Sequence, residues 1–357
     1  MENMDLKNRL RSDFRNKKVF VTGHTGFKGA WLTLLLKHLG ANVKGYALEA
    51  ADPSLFKMLG ESSQPSSVIA DIRDYQRLKN EISEFHPDYI FHLAAQSLVL
   101  DSVKRPRETF DVNAIGTVNI LEAIRENRRP CKVVIVTTDK VYHQSGQRKI
   151  FNEQDRLGGH DPYSASKACC EMITHSYANT FFKDTEILVA TARAGNVIGG
   201  GDFSENRILP DLVRSILSNQ SLLIRNPESI RPWQHVLDVL MGYLMLASSL
   251  SQGFLKISPS WNFAPTSTSD VAVKEIVEEF IKVIGKGTYH AESQNSSPHE
   301  STYLQLDASL ANRQLNWHPR LDVASSVQWA AEWYKDVLLE KISAEEKVLE
   351  QINDYLL

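Results

Sequence analysis

Short apolar runs alternate with helical patterns along the first half of the chain. The run at 19–21 is rich in β-branched residues, and from 27 to 39 the apolar positions follow helical spacing until Gly40. Similar runs predict further strands at 43–48, 67–70, 89–95, 132–136 and 187–190. Helical spacing recurs between them at 78–85, 112–124 and 164–181. Continuous apolar strands that alternate with helices indicate an α/β fold with a doubly wound parallel sheet.

This alternation loosens after about residue 190. The segments 199–201 and 225–232 are typical of loops, and helical patterns return at 208–217, 236–250 and 344–356. We therefore predict a first domain over 1–190 and a smaller C-terminal lobe over 191–357. Segments around 230–265 are candidates for further parts of the first domain, to which the chain would return there.

Composition excludes several classes of protein. The longest apolar run, at 30–36, is far shorter than the roughly 20 residues of a membrane helix. The first 18 residues are polar and lack the apolar centre of a secretory signal. Forty basic against 43 acidic residues give a net charge of −3, which makes no electrostatic case for nucleic-acid binding. Three cysteines are too few for a disulfide scaffold, so we expect a cytoplasmic protein without membrane or nucleic-acid partners.

The first predicted strand runs directly into a glycine-rich turn with the spacing G-x-x-G-x-x-G, and a helix follows. Glycine is needed where the backbone turns sharply and approaches a pyrophosphate, and the helix start offers free N–H groups to the phosphates. This context predicts a Rossmann-type dinucleotide site in the first domain. The candidate cofactor-binding residues of the turn are Gly23, His24, Thr25, Gly26, Phe27, Lys28 and Gly29.

The end of the second strand bears on the choice between NAD and NADP. An acidic residue about 20 positions after the turn usually binds the ribose, but Ala47 stands there. No arginine or lysine lies between 45 and 56 to bind a 2′-phosphate, so NAD is favoured. Asp71 and Ile72 follow the third strand and are candidates for the adenine edge, with a helix cap at Asp71 or Asp74 as the equal alternative.

Tyr163 and Lys167 lie four residues apart, which places both on one face of a predicted helix. A nearby ammonium lowers the pKa of a tyrosine from about 10, and such a tyrosine can act as a general base for a hydroxyl group. The strand at 133–136 ends in Thr138, Asp139 and Lys140, at the edge where open α/β sheets carry their sites. Thr138 can bind the substrate hydroxyl, and the next two residues supply an acid and a base. A surface pair and a solvated turn are the alternatives.

Together with the segments 92–96 and 111–117, these motifs resemble the extended short-chain dehydrogenase/reductase family over roughly 17–265. The segments 23–31, 53–56, 138–140 and 231–236 are most similar to members that act as 4,6-dehydratases on CDP-linked glucose. The resemblance implies NAD as cofactor. It also implies cofactor contacts from Leu93, Ala94, Ala95, Asn113, Thr137, Tyr163 and Lys167.

The resemblance further implies a redox-neutral reaction in three steps. Tyr163 deprotonates the C4 hydroxyl of the sugar while NAD takes the C4 hydride. Water then leaves across C5–C6, with Asp139 as the acid and Lys140 in the place of the base. Finally NADH returns the hydride to C6, which gives a 4-keto-6-deoxy sugar. The implied substrate-binding residues are Gln96, Asn196, Arg207, Arg231 and His235, and no metal is expected.

Other functions remain open at this point. A dehydratase with another nucleotide sugar or a 4-epimerase would share the fold, although an epimerase has no need of Asp139 and Lys140. A regulator that binds NAD without catalysis is a different class, and such proteins commonly lose the tyrosine or the lysine. The family also implies a homodimer or homotetramer, built through the helices at 112–124 and 164–181.

Overall fold

The computed structural model describes residues 2–61, 63–144, 148–251, 254, 259–265, 271–291 and 304–357. Its strands are β1 (Lys18–Thr22), β2 (Asn42–Ala47), β3 (Ser66–Ile69), β4 (Tyr89–His92), β5 (Cys131–Val136), β6 (Ile150–Phe151), β7 (Ile187–Ala194), β8 (Val197–Ile198), β9 (Ser221–Ile224), β10 (Gln234–His235), β11 (Ser260–Phe263), β12 (Thr288–Ala291) and β13 (Gln305–Leu306).

The helices of the described residues cover both faces of the sheet. They are α1 (Glu2–Phe14), α2 (Phe27–His38), α3 (Leu55–Met58), α4 (Tyr75–Phe85), α5 (Val99–Lys104), α6 (Pro106–Phe110), α7 (Gly116–Asn127), α8 (Pro162–Tyr177), α9 (Ile208–Leu217), α10 (Val236–Ser249), α11 (Val273–Ile284), α12 (Ser309–Leu315), α13 (Val323–Tyr334) and α14 (Ala344–Leu356). Asp139–Val141 forms a 3-10 turn, and Asp111–Ile115, Ala178–Phe182 and Lys335–Leu339 are π-helical.

Seven parallel strands form the central sheet in the order β3-β2-β1-β4-β5-β7-β11. Neighbouring residues of β1 face opposite sides of it. Val19 and Val21 join the core beneath α2 and α10, whereas Phe20 joins the core beneath α4 and α7. Because both faces are covered there, the central strands β1, β4, β5 and β7 are mostly apolar and buried, whereas β3 at the edge of the sheet is mostly exposed. The predicted doubly wound α/β fold is confirmed.

The smaller elements after β7 build the second lobe. β9 pairs with β12 in a separate two-stranded sheet, and α9, α11 and α13 pack beside it. β7 spans Ile187–Ala194 and therefore crosses the predicted boundary at residue 190, while β11 joins the large sheet beside β7. The division into 1–190 and 191–357 stays a prediction. The two lobes share one continuous hydrophobic core.

Some elements differ from the sequence-based expectation. The predicted strand at 89–95 ends at His92, because the backbone then turns away beside Gly23 and Thr22. The predicted helices at 112–124 and 164–181 each include a π-helical turn. Helix α1 was not expected; it forms because Leu10 and Phe14 fall on one face and are fully buried. No described helix is long and apolar enough to cross a membrane.

Asp238 in the first turn of α10 generates a prediction about stability and pH. Its Oδ1 atom accepts hydrogen bonds from the Tyr355 hydroxyl (2.6 Å) and the Arg320 backbone N–H (2.7 Å). Its Oδ2 atom is buried without a hydrogen-bond partner among the described residues. Burial raises the pKa of this carboxyl from 3.8 to about 6. The folded protein therefore holds this proton more tightly than the unfolded chain, so the ionised form weakens folding above pH 6.

We predict that Asp238→Asn increases the free energy of unfolding at pH 8 by up to roughly 3 kcal/mol, because the variant never buries a charge there. The gain should be much smaller at pH 4, where the wild-type carboxyl is protonated in the folded protein and partly protonated in the unfolded chain. Urea denaturation at the two pH values measures the difference. An equal effect at pH 4 and pH 8 would contradict this assignment.

Candidate active site

The glycine-rich turn between β1 and α2 brings three backbone segments into close contact. Gly23 has a positive φ of 74°, and a Cβ atom there would lie 2.7 Å from the Ala94 backbone nitrogen. A Cβ atom on Gly29 would lie 2.1 Å from the Gly23 carbonyl oxygen. Only glycine fits at both places. The turn therefore requires the glycines that the sequence places in it.

The start of α2 has the properties of a phosphate site. Gly26 is the N-cap and supplies no side-chain cap, so the first N–H groups of the helix stay available. A Cβ on Gly26 would come no closer than 3.4 Å to other atoms, and the residue is exposed. These observations fit a dinucleotide whose pyrophosphate rests on the helix start. Phe27 and Lys28 form the first turn of the helix.

His24 and Thr25 of the turn bind other parts of the protein. The His24 ring lies over Gly45, and its Nε2 atom is 2.6 Å from Ser67 Oγ. Burial lowers the pKa of His24 to about 4. The Thr25 hydroxyl donates to the Leu48 carbonyl (3.0 Å). These two side chains brace the turn against β2 and β3, and the backbone remains to bind a ligand.

Lys28 points into the site from the first turn of α2. Its Nζ atom lies 6.0 Å from the centre of the Tyr243 ring. Burial, reinforced by the charges of Arg207 and Lys167, lowers its pKa to about 7, and Asp139 and Asp202 oppose the shift. Lys28 is therefore close enough to the predicted catalytic groups to interact with their charges.

The residues after β3 and β4 border the same edge of the sheet. The Asp71 carboxylate is bound by Arg73 at 2.5 Å, which with a second hydrogen bond to the Arg73 backbone holds its pKa below the usual range. Asp71 is not the cap of α4, because Asp74 accepts from the Arg77 backbone instead. Ile72 is buried against Gly116. After β4, the residues that border this edge are Leu93, Ala94 and Ala95.

Asn113 holds the loop after β4 against α8. Its Oδ1 atom accepts from the Gln96 N–H (2.8 Å), and its Nδ2 group donates to the Gln96 carbonyl (3.0 Å) and to Ser166 Oγ (2.8 Å). The π-helical turn Asp111–Ile115 carries Asn113. The structure thus makes Asn113 a fixed support of the loop, and Gln96 is held through its backbone.

Tyr163 and Lys167 occupy the first turns of α8, and both are buried. Burial raises the pKa of Tyr163 to about 12, although a hydrogen bond with Thr138 and the charge of Arg207 act against the shift. The sequence predicted a lowered pKa for Tyr163, and that prediction is wrong for the protein without its ligands. Lys167 Nζ donates to the Val136 carbonyl (2.9 Å), and burial lowers the pKa of this ammonium group.

Thr138 joins the tyrosine to the acidic residue beside it. Its hydroxyl donates to Asp139 Oδ1 (2.8 Å) in addition to its contact with Tyr163. Asp139 is buried, and burial raises its pKa although Lys140, Thr138 and Arg231 oppose the shift. Lys140 is only partly buried in the same 3-10 turn. A carboxyl with a raised pKa is suited to donate a proton.

The predicted substrate residues fall into two groups. Arg207 immediately precedes α9 without capping it, pairs with Asp202 at 3.2 Å, and its charge reaches Tyr163. The Arg231 charge acts on Asp139, and its Nη1 group donates to the Ile230 carbonyl (3.0 Å). Both arginines therefore border the site.

Asn196 and His235 lie at the junction of the two lobes. The Asn196 carbonyl accepts from the Gln234 N–H (3.1 Å), beside the β8–β10 pair. His235 is fully buried, caps α10 through Nδ1 (3.3 Å) and meets the Trp31 ring edge to face. Burial lowers the pKa of His235 to about 3. In this arrangement the His235 ring supports the site and does not line it.

Several supporting residues were not found from the sequence. Asp161 caps α8 through the Ser164 N–H (3.0 Å), and Ser102 accepts from the Tyr163 N–H (3.1 Å). Glu171 binds the Thr137 hydroxyl at 2.5 Å, so the side chain of Thr137 points away from the cofactor edge. The only available signal was the position of Glu171, four residues after Lys167 on the same helix face. In the described residues no cluster of metal-ligating side chains is present.

Comparisons with known proteins agree with this geometry. Residues 20–329 match the family described as GDP-mannose 4,6 dehydratase. The chain therefore belongs to this family of extended short-chain dehydrogenases/reductases, as its motifs predicted. The CDP-glucose 4,6-dehydratase of Salmonella typhimurium is 43% identical over 328 residues, which are 90% of this chain and 91% of that protein.

Solved structures resemble the whole fold at lower identity. The dTDP-glucose 4,6-dehydratase of Bacillus anthracis, in complex with NAD, has a TM-score of 0.75 and 22% identity, over 90% of this chain and 97% of its own. The UDP-glucose 4-epimerase of Thermotoga maritima, with UDP-glucose, has a TM-score of 0.75 and 19% identity, over 90% of this chain and 99% of its own. Dehydratases and epimerases thus share this architecture.

The close backbone contacts within the glycine-rich turn can be tested with one variant at Gly29 and a matched control at Gly26. Gly29→Ala places a methyl group against the backbone of Gly23 and His24, so the turn must open. Gly26→Ala adds the same methyl group with ordinary contacts. We predict that Gly29→Ala lowers the free energy of unfolding by about 1–3 kcal/mol and that Gly26→Ala changes it by no more than about 0.5 kcal/mol. Urea denaturation measures both, and equal effects would contradict this account.

Proposed function

We propose that this protein is an NAD-dependent CDP-glucose 4,6-dehydratase, a hydro-lyase that forms CDP-4-keto-6-deoxy-D-glucose and water. The observation that carries the proposal is the 43% identity to the Salmonella enzyme over nearly the full length of both chains. The chemistry of the site supports it, because Asp139 and Lys140 stand beside Tyr163 and Lys167 at one strand end. An epimerase does not eliminate water and therefore does not need Asp139 and Lys140.

The residues present fit NAD as the cofactor. The uncapped start of α2 and the close-packed glycines would hold its pyrophosphate, and Ile72, Ala94 and Ala95 at the same edge of the sheet would contact other parts of the dinucleotide. The described residues offer no arginine at the end of β2 for a 2′-phosphate, since Leu48 and Glu49 follow it. When bound, NAD would supply the hydride acceptor and the positive charge of its nicotinamide ring.

Tyr163 removes the proton of the C4 hydroxyl. Thr138 bonds with the phenol and orients it, and Lys167 holds a positive charge one helical turn away. Burial alone would keep the phenol protonated, so the reaction requires the nearby positive charges to offset it. The same burial excludes water from the proton transfer.

The elimination of water depends on the strand end at 138–140. Asp139 donates a proton to the departing C6 hydroxyl, which its raised pKa favours. Lys140 is the residue that we assign to remove the C5 proton, because it directly follows the acid Asp139 in the same 3-10 turn; its amine must be uncharged to accept that proton. Arg207 and Arg231 carry the charge and the fork geometry that bind the two phosphates of the substrate.

A panel of substrates tests the function directly. The protein is incubated with CDP-, dTDP-, UDP- and GDP-linked glucose, and the 4-keto-6-deoxy product is assayed for each. Turnover of CDP-glucose with little turnover of the others supports the proposal. Turnover of another nucleotide sugar without turnover of CDP-glucose would overturn the identification.

Asp139 and Lys140 separate a dehydratase from other enzymes of this fold. We predict that Asp139→Ala with Lys140→Ala retains the first hydride transfer, since Tyr163 is untouched, and fails to eliminate water. NADH fluorescence should rise and stay high on rapid mixing, whereas the wild type shows a transient. General acid–base groups typically contribute about 10²–10⁴-fold, and the loss of product formation should fall in that range.

The control removes the same two charges elsewhere. Lys183→Ala with Asp184→Ala changes an exposed turn between α8 and β7, and product formation should stay at the wild-type rate. Normal product formation by the Asp139 and Lys140 variant would place the elimination chemistry elsewhere.

An exposed apolar face supports a homodimer. It consists of Leu100, Val103, Phe110, Ile115 and Met172, on α5, α6, the π-helical turn and α8. Each of these side chains is between 36% and 56% exposed, and the helices that carry them pack against one another. We propose that a second copy of this chain covers the face. The three cysteines are free thiols, which supports a reducing cytoplasm as the compartment.

We predict that Met172→Lys weakens this dimer, because it buries a charge in the proposed interface. Sedimentation velocity at micromolar concentration should show the variant shifted from dimer towards monomer. Leu217→Lys is the matched control, since Leu217 on α9 is 50% exposed and lies outside the face. Equal sedimentation of both variants and the wild type would contradict the assignment of the face.

A further inference from the structure

A buried ion pair lies directly behind the catalytic edge of the sheet. Glu171 and Arg193 have side chains that are 2% and 3% exposed. Arg193 binds the carboxylate through Nε (2.9 Å) and Nη2 (2.8 Å), which is the bidentate arrangement. The hydroxyl groups of Thr137 (2.5 Å) and Thr191 (2.6 Å) donate to the same carboxylate. Burial opposes ionisation, but the charge of Arg193 and these donors hold the pKa of Glu171 below its usual range.

The pair connects the elements that carry the catalytic groups. Glu171 lies one helical turn beyond Lys167 on α8, and Thr137 immediately precedes Thr138 at the end of β5. A fixed contact between Glu171 and Thr137 therefore holds the strand end against the helix.

Arg193 extends the connection to the acid–base turn. Its Nη1 group donates to the Tyr142 hydroxyl (2.8 Å), which donates to Asn262 Oδ1 (2.7 Å) on β11. Tyr142 directly follows the 3-10 turn that contains Asp139. One hydrogen-bonded group thus joins β5, β7, β11, α8 and that turn.

We propose that the Glu171–Arg193 ion pair is a positioning unit that fixes Thr138 and Asp139 relative to Tyr163 and Lys167. Its two side chains are almost fully buried and present little surface to a ligand. A well-packed apolar pair would hold the same elements without the cost of burying two charges. The charges therefore indicate an electrostatic task in addition to a structural one. Glu171 acts to raise the pKa of the Lys167 ammonium against the effect of burial.

The proposal predicts how the pH dependence of the first step changes. Glu171→Gln leaves the charge of Arg193 uncompensated, which lowers the pKa of the Tyr163 phenol. Arg193→Gln removes the guanidinium group that keeps Glu171 ionised, so it has the opposite effect over the pH range in which the Glu171 carboxyl stays charged. The groups that also face Tyr163 or Lys167 stay in place in both variants; they are Asp161, Cys170, Asp139, Lys28, His92, Arg207 and Tyr243.

The experiment measures the rate of NADH formation on rapid mixing of holoenzyme with CDP-glucose between pH 6 and pH 10. Relative to the wild type, the pH of half-maximal rate should move down in Glu171→Gln and up in Arg193→Gln, each by on the order of one pH unit. Asp336→Asn is the control, because it breaks the partly buried pair with Lys347 (2.7 Å) in the C-terminal region. This control should leave the pH profile unchanged.

Thr137→Val tests the geometry without disturbing either charge. It removes one hydroxyl donor to Glu171 and keeps the shape of the side chain. This variant therefore tests the proposal even if a charge variant does not fold. We expect the rate of NADH formation to fall by roughly 10-fold to 100-fold, because small displacements of catalytic groups are costly. A wild-type rate in Thr137→Val, or shifts of both charge variants in the same direction, would overturn the proposal.

This inference rests on the proposed function, since the assay uses CDP-glucose. The two failures are distinguishable. Absence of NADH formation by the wild type with every nucleotide sugar would count against the proposed function. A normal wild-type signal with unshifted profiles in both charge variants would count against the positioning unit alone.

Discussion

The arrangement of this protein depends on the burial of ionisable groups at the carboxyl edge of one parallel sheet. Burial favours the uncharged form of any such group, and here it acts on an acid, a phenol and an amine together. It raises the pKa of Asp139 and of Tyr163, and it lowers that of Lys167. The same condition thus keeps a proton on the acid and on the future base until a charged ligand arrives.

The fold meets this condition by fixing the groups from several sides. β5 and α8 supply the reacting residues, whereas β7 and β11 supply the polar chain that holds them from behind. At the opposite side of the site, the turn between β1 and α2 approaches the residues after β4 so closely that a single methyl group would not fit. The catalytic residues and the glycine-rich turn that binds the dinucleotide therefore lie at neighbouring parts of the same edge of the sheet.

The fold could be predicted from the sequence because its central strands are buried on both faces and appear as short apolar runs. The glycine-rich turn and the Tyr163–Lys167 spacing were equally visible, since both are local patterns. Glu171 and Arg193 were not predicted as partners, because they lie on separate elements and meet only through the strand order. The raised pKa of Tyr163 was missed for the same reason: a four-residue spacing shows proximity, but the depth of burial is a property of the assembled core.

Helix α1 packs against α10 and against α14, the last helix of the chain. Its buried face includes Leu10 and Phe14, and the Phe14 ring also contacts Tyr89 and Phe91 of β4. Helices α1 and α14 therefore lie on the same side of the protein, and a label attached to the exposed face of either helix reports on the same surface.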